Sequence, residues 1–208
     1  MRYVFRFLAV APLVLTSCQE ASGVLLADIA YQLTCVGTSP TNCAPAMVTG
    51  QNFDYVADDG DEVSNTMGTV IGTVEASCVA QTVADGVLEF TMRSDLANSY
   101  IGISGLRLDK TTGAFVGGAC RVTAYDGISI YGGSTGGFCS AAAPAAGNPC
   151  QVTASSIDRN SDDGPSVELR LNCAGLPNQA EPTSQVSVRD SQSAANPAII
   201  RFANCRGL

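Results

Sequence analysis

Apolar and polar positions alternate over short stretches of this chain, and turn residues such as Asp85-Gly86 and Asn196-Pro197 separate one stretch from the next. No segment keeps a helical period over a dozen residues, so the pattern predicts strands. The predicted strands are Ile29–Cys35, Thr69–Cys78, Val87–Arg93, Tyr100–Asp109, Cys120–Tyr125, Ile128–Tyr131, Gln151–Ile157, Val167–Cys173, Gln185–Val188 and Ile199–Ala203. This predicts an all-β fold, an antiparallel β-sandwich or jelly roll of about 8–10 short strands.

A weak internal repeat supports this fold class. One copy runs from Gln151 to Leu176 and a second from Gln185 to Leu208, each passing from Gln-Val through a proline to Asn-Cys. An earlier echo starts at Val74. Each copy is predicted to be a strand–turn–strand hairpin, with coincidence in a restricted alphabet as the alternative.

The N-terminus carries an export signal. Arg2 and Arg6 flank the start of the chain, and residues 7–15 form an apolar run of nine, too short to span a bilayer. The run closes on the letters LTSC, ending at Cys18. This arrangement resembles the lipobox of bacterial lipoproteins, whose cysteine thiol receives a diacylglycerol. The resemblance implies cleavage before Cys18 and acylation of Cys18; an ordinary signal peptide is the alternative.

The chain is therefore expected to have three parts. Residues 1–17 form the lipoprotein signal peptide, and residues 18–27 comprise the acylated cysteine and a tether that reaches about 30 Å when extended. Residues 28–208 form a single β-sandwich domain. Because Gln19 and not Asp follows the cysteine, the resemblance implies the outer membrane, on its periplasmic or its cell-surface face.

Eight further cysteines predict a disulfide framework, because their number is even and the chain is exported. Cys150 and Cys173 lie equidistant from the turn of a predicted hairpin, which places them opposite each other and within bonding distance. The other predicted pairs are Cys35–Cys43, Cys120–Cys139 and, on weaker grounds, Cys78–Cys205.

Composition limits the chemistry. The chain has no histidine, which excludes catalytic systems and zinc sites that need imidazole. Loss of Arg2 and Arg6 leaves nine basic against 19 acidic residues, a net charge of −10. This balance argues against nucleic acid as a partner. Lys110 is the only lysine.

Two acidic clusters are weak calcium candidates, since alternating Asp and Asn near a glycine can supply oxygen ligands. They are Asp54 with residues 58–62, and residues 158–164. The candidate ligands are Asp58, Asp59, Asp61, Asp158, Asn160 and Asp162. The alternative, which we favour, is turn chemistry, because these residue types hydrogen-bond their own backbone. The sequence therefore predicts no cofactor.

Three further motifs do not predict a definite functional site. The Gly102–Leu106 stretch lacks the final glycine of a nucleophile elbow, and the glycine-rich stretch 132–137 lacks the lysine of a phosphate loop. We expect that stretch to be a flexible hairpin tip. Tyr100, Tyr125 and Tyr131 could form a row on which sugars stack, although core or rim positions are commoner for tyrosine.

These observations predict a lipid-anchored envelope or surface protein with a non-enzymatic binding or structural role. Its partners are expected to be the membrane, through the lipid, and an unidentified envelope protein or glycan. A carbohydrate-binding module, with or without calcium, is the first alternative. A hydrolase that uses paired carboxylates is the second, because such chemistry needs only Asp and Glu.

Overall fold

A computed structural model of the chain describes residues 23–36, 51–64 and 67–208. Within these ranges the fold is all-β, with a single 3₁₀ turn at Gly133–Thr135. The strands are β1 (Leu26–Cys35), β2 (Gln51–Asp58), β3 (Glu62–Ser64), β4 (Val70–Ala84), β5 (Val87–Leu96), β6 (Ser99–Asp109), β7 (Phe115–Gly117), β8 (Arg121–Tyr125), β9 (Ile130–Gly132), β10 (Cys139–Ser140), β11 (Cys150–Asp158), β12 (Ser166–Pro177), β13 (Gln185–Arg189) and β14 (Ala198–Ala203).

All ten predicted strands are present, most of them longer than the pattern indicated. Four strands were not predicted. β3, β7 and β10 have two or three residues, too few for an alternation to be visible. β2 was missed because Asp54 and Asp58 stand on its outer side, inside what the sequence marked as an acidic cluster.

In the first sheet, two short strands together occupy one position in the strand order, and we call this pair the β13–β14 row. β13 and β14 lie end to end between β1 and β12, and both are antiparallel to each of these neighbours. β2 flanks β1 on the other side, and β11 flanks β12. The edge strand β10 runs parallel to β11. The first and last parts of the described chain are thus paired in the middle of one sheet.

The pairing of β13 and β14 shows that one of the predicted hairpins is wrong. The copy from Gln151 is a hairpin, β11–β12, and the echo from Val74 is a hairpin, β4–β5. The copy from Gln185 is not, because β13 and β14 pair with β1 and β12 and not with each other. Residues 190–197 leave the row and return to it, with the Asp190 amide bonded to the Asn196 carbonyl.

The second sheet has the order β3-β4-β5-β6-β8-β9, with β7 beside β6 beyond the end of β8. Burial alternates along most of its strands, although a bulge in β6 shifts the buried positions from Ile101 and Ile103 to Leu106 and Leu108. Along β5 every second side chain, from Leu88 to Leu96, is buried. The inward positions of both sheets form one hydrophobic cluster, in which Tyr31, Tyr131, Phe90 and Phe202 are the largest fully buried side chains. The all-β, two-sheet prediction is therefore confirmed.

Contacts along β4 show that the two sheets cross. Val74 accepts a hydrogen bond from Gly60, just after β2, and Ala80 bonds Arg206, just after β14. In the turn between β6 and β7 of the second sheet, Gly113 packs against Ser156 and Ile157 in β11. β4 therefore runs across the ends of the first-sheet strands, an orthogonal rather than aligned packing.

Three predicted disulfides are present among the described residues. Cys78–Cys205 joins β4 to the chain just after β14, and Cys120–Cys139 joins the start of β8 to β10, so both link the two sheets. Cys150–Cys173 lies within the first sheet. Cys35 is also disulfide-bonded. Its predicted partner, Cys43, lies outside the described residues, so that pairing stays a prediction.

The predicted pair Cys150–Cys173 is confirmed, and the register of β11 and β12 explains why. Cys150 pairs directly with Cys173, and their Cα atoms are 4.0 Å apart. A bulge between Val152 and Ala154 shifts the register by one residue. The connecting turn, residues 159–165, is centred on Asp162, whereas the midpoint between Cys150 and Cys173 falls between Ser161 and Asp162. The bulge offsets this difference, so the cysteines still face each other.

The glycine-rich stretch is not a flexible tip, as the sequence had suggested. Gly132, Gly133 and Gly137 are buried. A Cβ on Gly132 would meet the Val122 carbonyl and the Leu176 side chain. These glycines are present because the backbone passes close to its neighbours.

We expect the inter-sheet bond Cys78–Cys205 to contribute more stability than Cys150–Cys173. Their sequence separations are 127 and 23 residues, for which the chain-entropy model gives roughly 5 and roughly 3 kcal/mol. Denaturant unfolding of C78A/C205A and C150A/C173A would compare them, since all four sulfurs are buried. A larger loss in C150A/C173A would contradict this ranking.

Candidate functional site

The two acidic clusters are about 100 residues apart in the sequence, yet they meet where the described chain begins.

 

Residues 58–62 of the first cluster span the turn between β2 and β3, where the Asp59 amide donates to the Leu25 carbonyl over 2.8 Å, whereas Asp54 lies within β2. The second lies in the turn after β11, and Asn204 connects it to the Val24 carbonyl. We call this meeting point the chain-entry site.

Asn204 is the central residue of the chain-entry site. Its Nδ2 atom donates to the carbonyl of Val24 over 2.9 Å and to the carbonyl of Asp163 over 2.8 Å. Its backbone has a φ of 61°, a left-handed conformation that asparagine tolerates better than most residues. Gly23 and Gly164 leave room for it, since a Cβ on either would collide with the Asn204 side chain. One amide thus fastens the entering chain to the β11–β12 turn.

The acidic side chains at this site largely serve their own turns. Asp59 Oδ1 accepts the amide of Ala76 over 2.8 Å, which ties the turn after β2 to the second sheet. Asp158 Oδ1 accepts the amide of Asn160 over 2.9 Å. These contacts agree with turn chemistry, in which short acidic side chains satisfy nearby backbone donors.

Over residues 23–36, 51–64 and 67–208, no group of three or more Cys, Asp or Glu side chains is placed to hold a metal ion. The carboxylates of Asp58 and Asp61 are in a turn closed by the Asp61 amide on the Asp58 carbonyl. That calcium is not a cofactor stays a prediction from sequence.

A charged group on the outer face of the first sheet borders the chain-entry site. Arg201 donates to Asp163 Oδ2 and to Ser161 Oγ, each over 2.9 Å, and its guanidinium lies 3.9 Å from Asp28. Partial burial raises the pKa of Asp28, while Arg201 opposes the rise. Glu168 pairs across the strands with Arg201 on the other side. Arg201 therefore lies among several acidic side chains and forms ion pairs with Asp163 and Asp28, whereas Glu168 forms its ion pair with Arg170.

A second candidate surface lies on the outer face of the second sheet. Register places Asp95, Tyr100, Tyr125 and Ile130 side by side on β5, β6, β8 and β9. The two tyrosine rings have centroids 5.5 Å apart. Arg93 forms a bidentate pair with Asp95, both contacts being 2.6 Å. We call this set the tyrosine row.

The geometry of the tyrosine row limits what it can bind. The Arg93 guanidinium carbon lies 3.9 Å from the Tyr100 ring centroid, and Tyr125 contacts the ring from the opposite neighbouring strand. Arg93 therefore covers one face of the Tyr100 ring, and Tyr125 packs beside the ring in a tilted arrangement. A sugar that stacked on the face covered by Arg93 would have to displace the guanidinium.

Tyr131 does not belong to this row, contrary to the expectation from sequence. It is fully buried, and its hydroxyl donates to Asp126 Oδ2 over 3.2 Å. Burial raises the pKa of Tyr131 well above its ordinary value. Tyr131 is a core residue that faces the first sheet.

The buried acidic residues among those described are Asp126 and Asp190. Asp126 Oδ1 accepts the amides of Ile128 and Ser129, and Asp190 Oδ1 accepts those of Gln192 and Ser193. Each carboxylate stabilises its own turn. This arrangement gives no support to a hydrolase built on two facing carboxylates.

Sequence reasoning also missed a cleft of about 540 Å³ beside β2. Its lining includes Phe53, Asp54, Leu96 and Ala97. Ala97 has a φ of 55°, and Gly72 lies so close beneath it that a Cβ there would collide with the Ala97 backbone. The cleft combines residues from both sheets, so no local pattern marks it.

The role of Asn204 predicts a specific loss on substitution. Asn204→Gly keeps the left-handed backbone but removes both hydrogen bonds, which we expect to cost about 1–3 kcal/mol of unfolding free energy. Asn204→Asp is expected to cost more, because a carboxylate would face two carbonyl oxygens. Denaturant unfolding, with hydrogen exchange at the start of β1, measures both effects. Unchanged stability in both variants would show that Asn204 does not fasten the entering chain.

Within the described residues, the structure contains no helix with the length and apolar character needed to cross a membrane. No protein-family model, characterised protein or solved structure matches this chain.

Proposed function

We propose that this chain is a lipid-anchored cell-envelope protein, attached through Cys18, whose β domain has a non-enzymatic binding or structural role. The observation that carries the proposal is the chain-entry site. The chain is fastened to the domain at Val24 and Leu25, only a few residues after the lipobox-like cysteine. A domain held so close to its attachment point suits a protein that works at a membrane surface.

The disulfides support the same proposal. Both inter-sheet bonds, Cys78–Cys205 and Cys120–Cys139, require an oxidising compartment such as the one an exported lipoprotein enters. The outer membrane, on its periplasmic or cell-surface face, fits this requirement.

The available chemistry supports the proposal of a non-enzymatic role. The sequence contains no histidine, and the buried carboxylates of Asp126 and Asp190 are engaged by backbone amides. Rigid strands that carry exposed turns are a common scaffold for binding.

A carbohydrate-binding module is the second candidate function. The tyrosine row favours it, because Tyr100 and Tyr125 share an exposed face with a charged pair. The contact of Arg93 with the Tyr100 ring weakens it, since sugar recognition by stacking needs a free ring face. We therefore rank it below a general binding or structural role.

Cys18→Ser tests the proposal. Without a thiol to acylate, we expect the protein to leave the membrane fraction during detergent-free washing, because no other membrane attachment is proposed. Ser17→Ala is the matched control, since it keeps a small residue before an intact cysteine, and it is expected to stay with the membrane. Retention of the Cys18→Ser protein on washed membranes would refute the anchor.

A further inference from the structure

The position at which the chain enters the domain determines which end can approach the bilayer. Four residues, 19–22, separate Cys18 from Gly23. Five Cα–Cα steps reach at most about 18 Å. This is shorter than the tether of about 30 Å expected from sequence, because the chain is already fastened at Val24 and Leu25.

In the first sheet, strand register defines the end that contains this entry point. Leu26 pairs with Asp58 and with Ala203, and Ala203 pairs with Ser166. Ser166 in turn pairs with Asp158. The turn 58–61, the turn 159–165 and the chain after Ala203 therefore all lie at the level of Leu26.

The second sheet contributes two further turns to the same end. Gly113 packs against Ile157, which lies at the level of Ala27 through Val167 and Phe202. The Lys110 amide donates to the Gly86 carbonyl over 2.7 Å. The turns 85–86 and 110–113 are thus neighbours there. We call the set 58–61, 85–86, 110–113, 159–165 and 204–208 the anchor end.

The opposite end is far from this surface. Cys150 pairs with Cys173, which pairs with Val188, and Val188 pairs with Leu33. Leu33 lies seven residues beyond Leu26, which corresponds to roughly 23 Å along a strand. The exposed loop before Cys150, which contains Ala143, lies at this distal end.

From this geometry we infer that the anchor end is the surface that faces the lipid headgroups, with the distal end directed away from the membrane. The inference rests on the proposed attachment at Cys18 and adds the orientation of the domain to it. Acidic residues dominate the anchor end, among them Asp58, Asp59, Asp61, Asp85, Asp162 and Asp163. Such a surface has no attraction for anionic headgroups, so the short linker, and not charge, sets the orientation.

Lys110 gives a direct readout because it is the only lysine and lies in the anchor end. An amine-reactive donor dye is placed on Lys110 of the acylated protein in detergent. The protein is then reconstituted into phosphatidylcholine vesicles that carry an acceptor dye on a small share of the headgroups. The comparison protein is Lys110→Arg with Ala143→Lys, which moves the dye to the distal end. Lys110→Arg alone measures any labelling of the N-terminal amine.

We expect energy transfer to be several-fold higher from position 110 than from position 143. A flexible Gly/Ser insert of roughly 20 residues between Glu20 and Ala21, with a root-mean-square span of roughly 25 Å, is expected to remove the difference. Equal transfer from the two positions without the insert, or higher transfer from position 143, would overturn the inference.

A second arm separates this inference from the proposed function. The chain from Cys18 onward, produced without lipid, is coupled through the Cys18 thiol to maleimide lipids in the same vesicles. The attachment point is then imposed, so the orientation is measured whether or not the cell acylates Cys18. Membrane retention of Cys18→Ser would refute the natural anchor alone, whereas equal transfer in the coupled protein would refute the orientation alone.

Discussion

The pairing of β1 with the row formed by β13 and β14 is the interaction on which the rest of the structure depends. It places the first described strand in the centre of a sheet whose other members, apart from β2, come from the last third of the chain. Because these partners are distant in sequence, closing them requires a large loop-closure entropy. The inter-sheet bond Cys78–Cys205, which forms just beyond β14, offsets part of that cost by restricting the unfolded chain.

The same pairing creates the chain-entry site. Since β1 starts where β14 ends, the entering residues meet Asn204, and the turns after β2 and β11 lie on either side. Side chains that looked like metal ligands in the sequence are used there to connect turns to strands. The domain is thereby joined firmly to the segment that precedes it, and a short linker from a lipid at Cys18 would carry orientation as well as attachment.

Local features of the fold could be predicted from sequence, and nonlocal ones could not. The β4–β5 and β11–β12 hairpins follow from alternation on both sides of a turn, and Cys150–Cys173 follows from the hairpin. The β13–β14 pair imitates the same pattern, but its hydrogen bonds go to β1 and β12, which no periodicity can reveal. Tyr131 and Tyr125 looked equivalent in sequence, yet Tyr131 pairs with the buried Ala124 and Tyr125 with the exposed Ile130. Strand alternation therefore buries one ring and leaves the other on the outer face.

The candidate site was even less accessible to sequence reasoning. Asn204 acts through contacts with residues about 40 and 180 positions away, and its one sequence signal was the Asn-Cys pair shared with Asn172-Cys173. Only part of the tyrosine row was predicted. The sequence indicated Tyr100 and Tyr125 but not Arg93 and Asp95, which lie beside them in the structure. Their grouping depends on the register of three strands, which the sequence does not state.

Mass spectrometry of the protein isolated from its own membranes tests the lipid attachment at Cys18. We expect a mature chain that lacks residues 1–17 and an N-terminal peptide in which Cys18 carries a diacylglycerol and, on its amine, a further acyl group. An N-terminal peptide with an unmodified Cys18, or one that begins elsewhere, would refute the attachment.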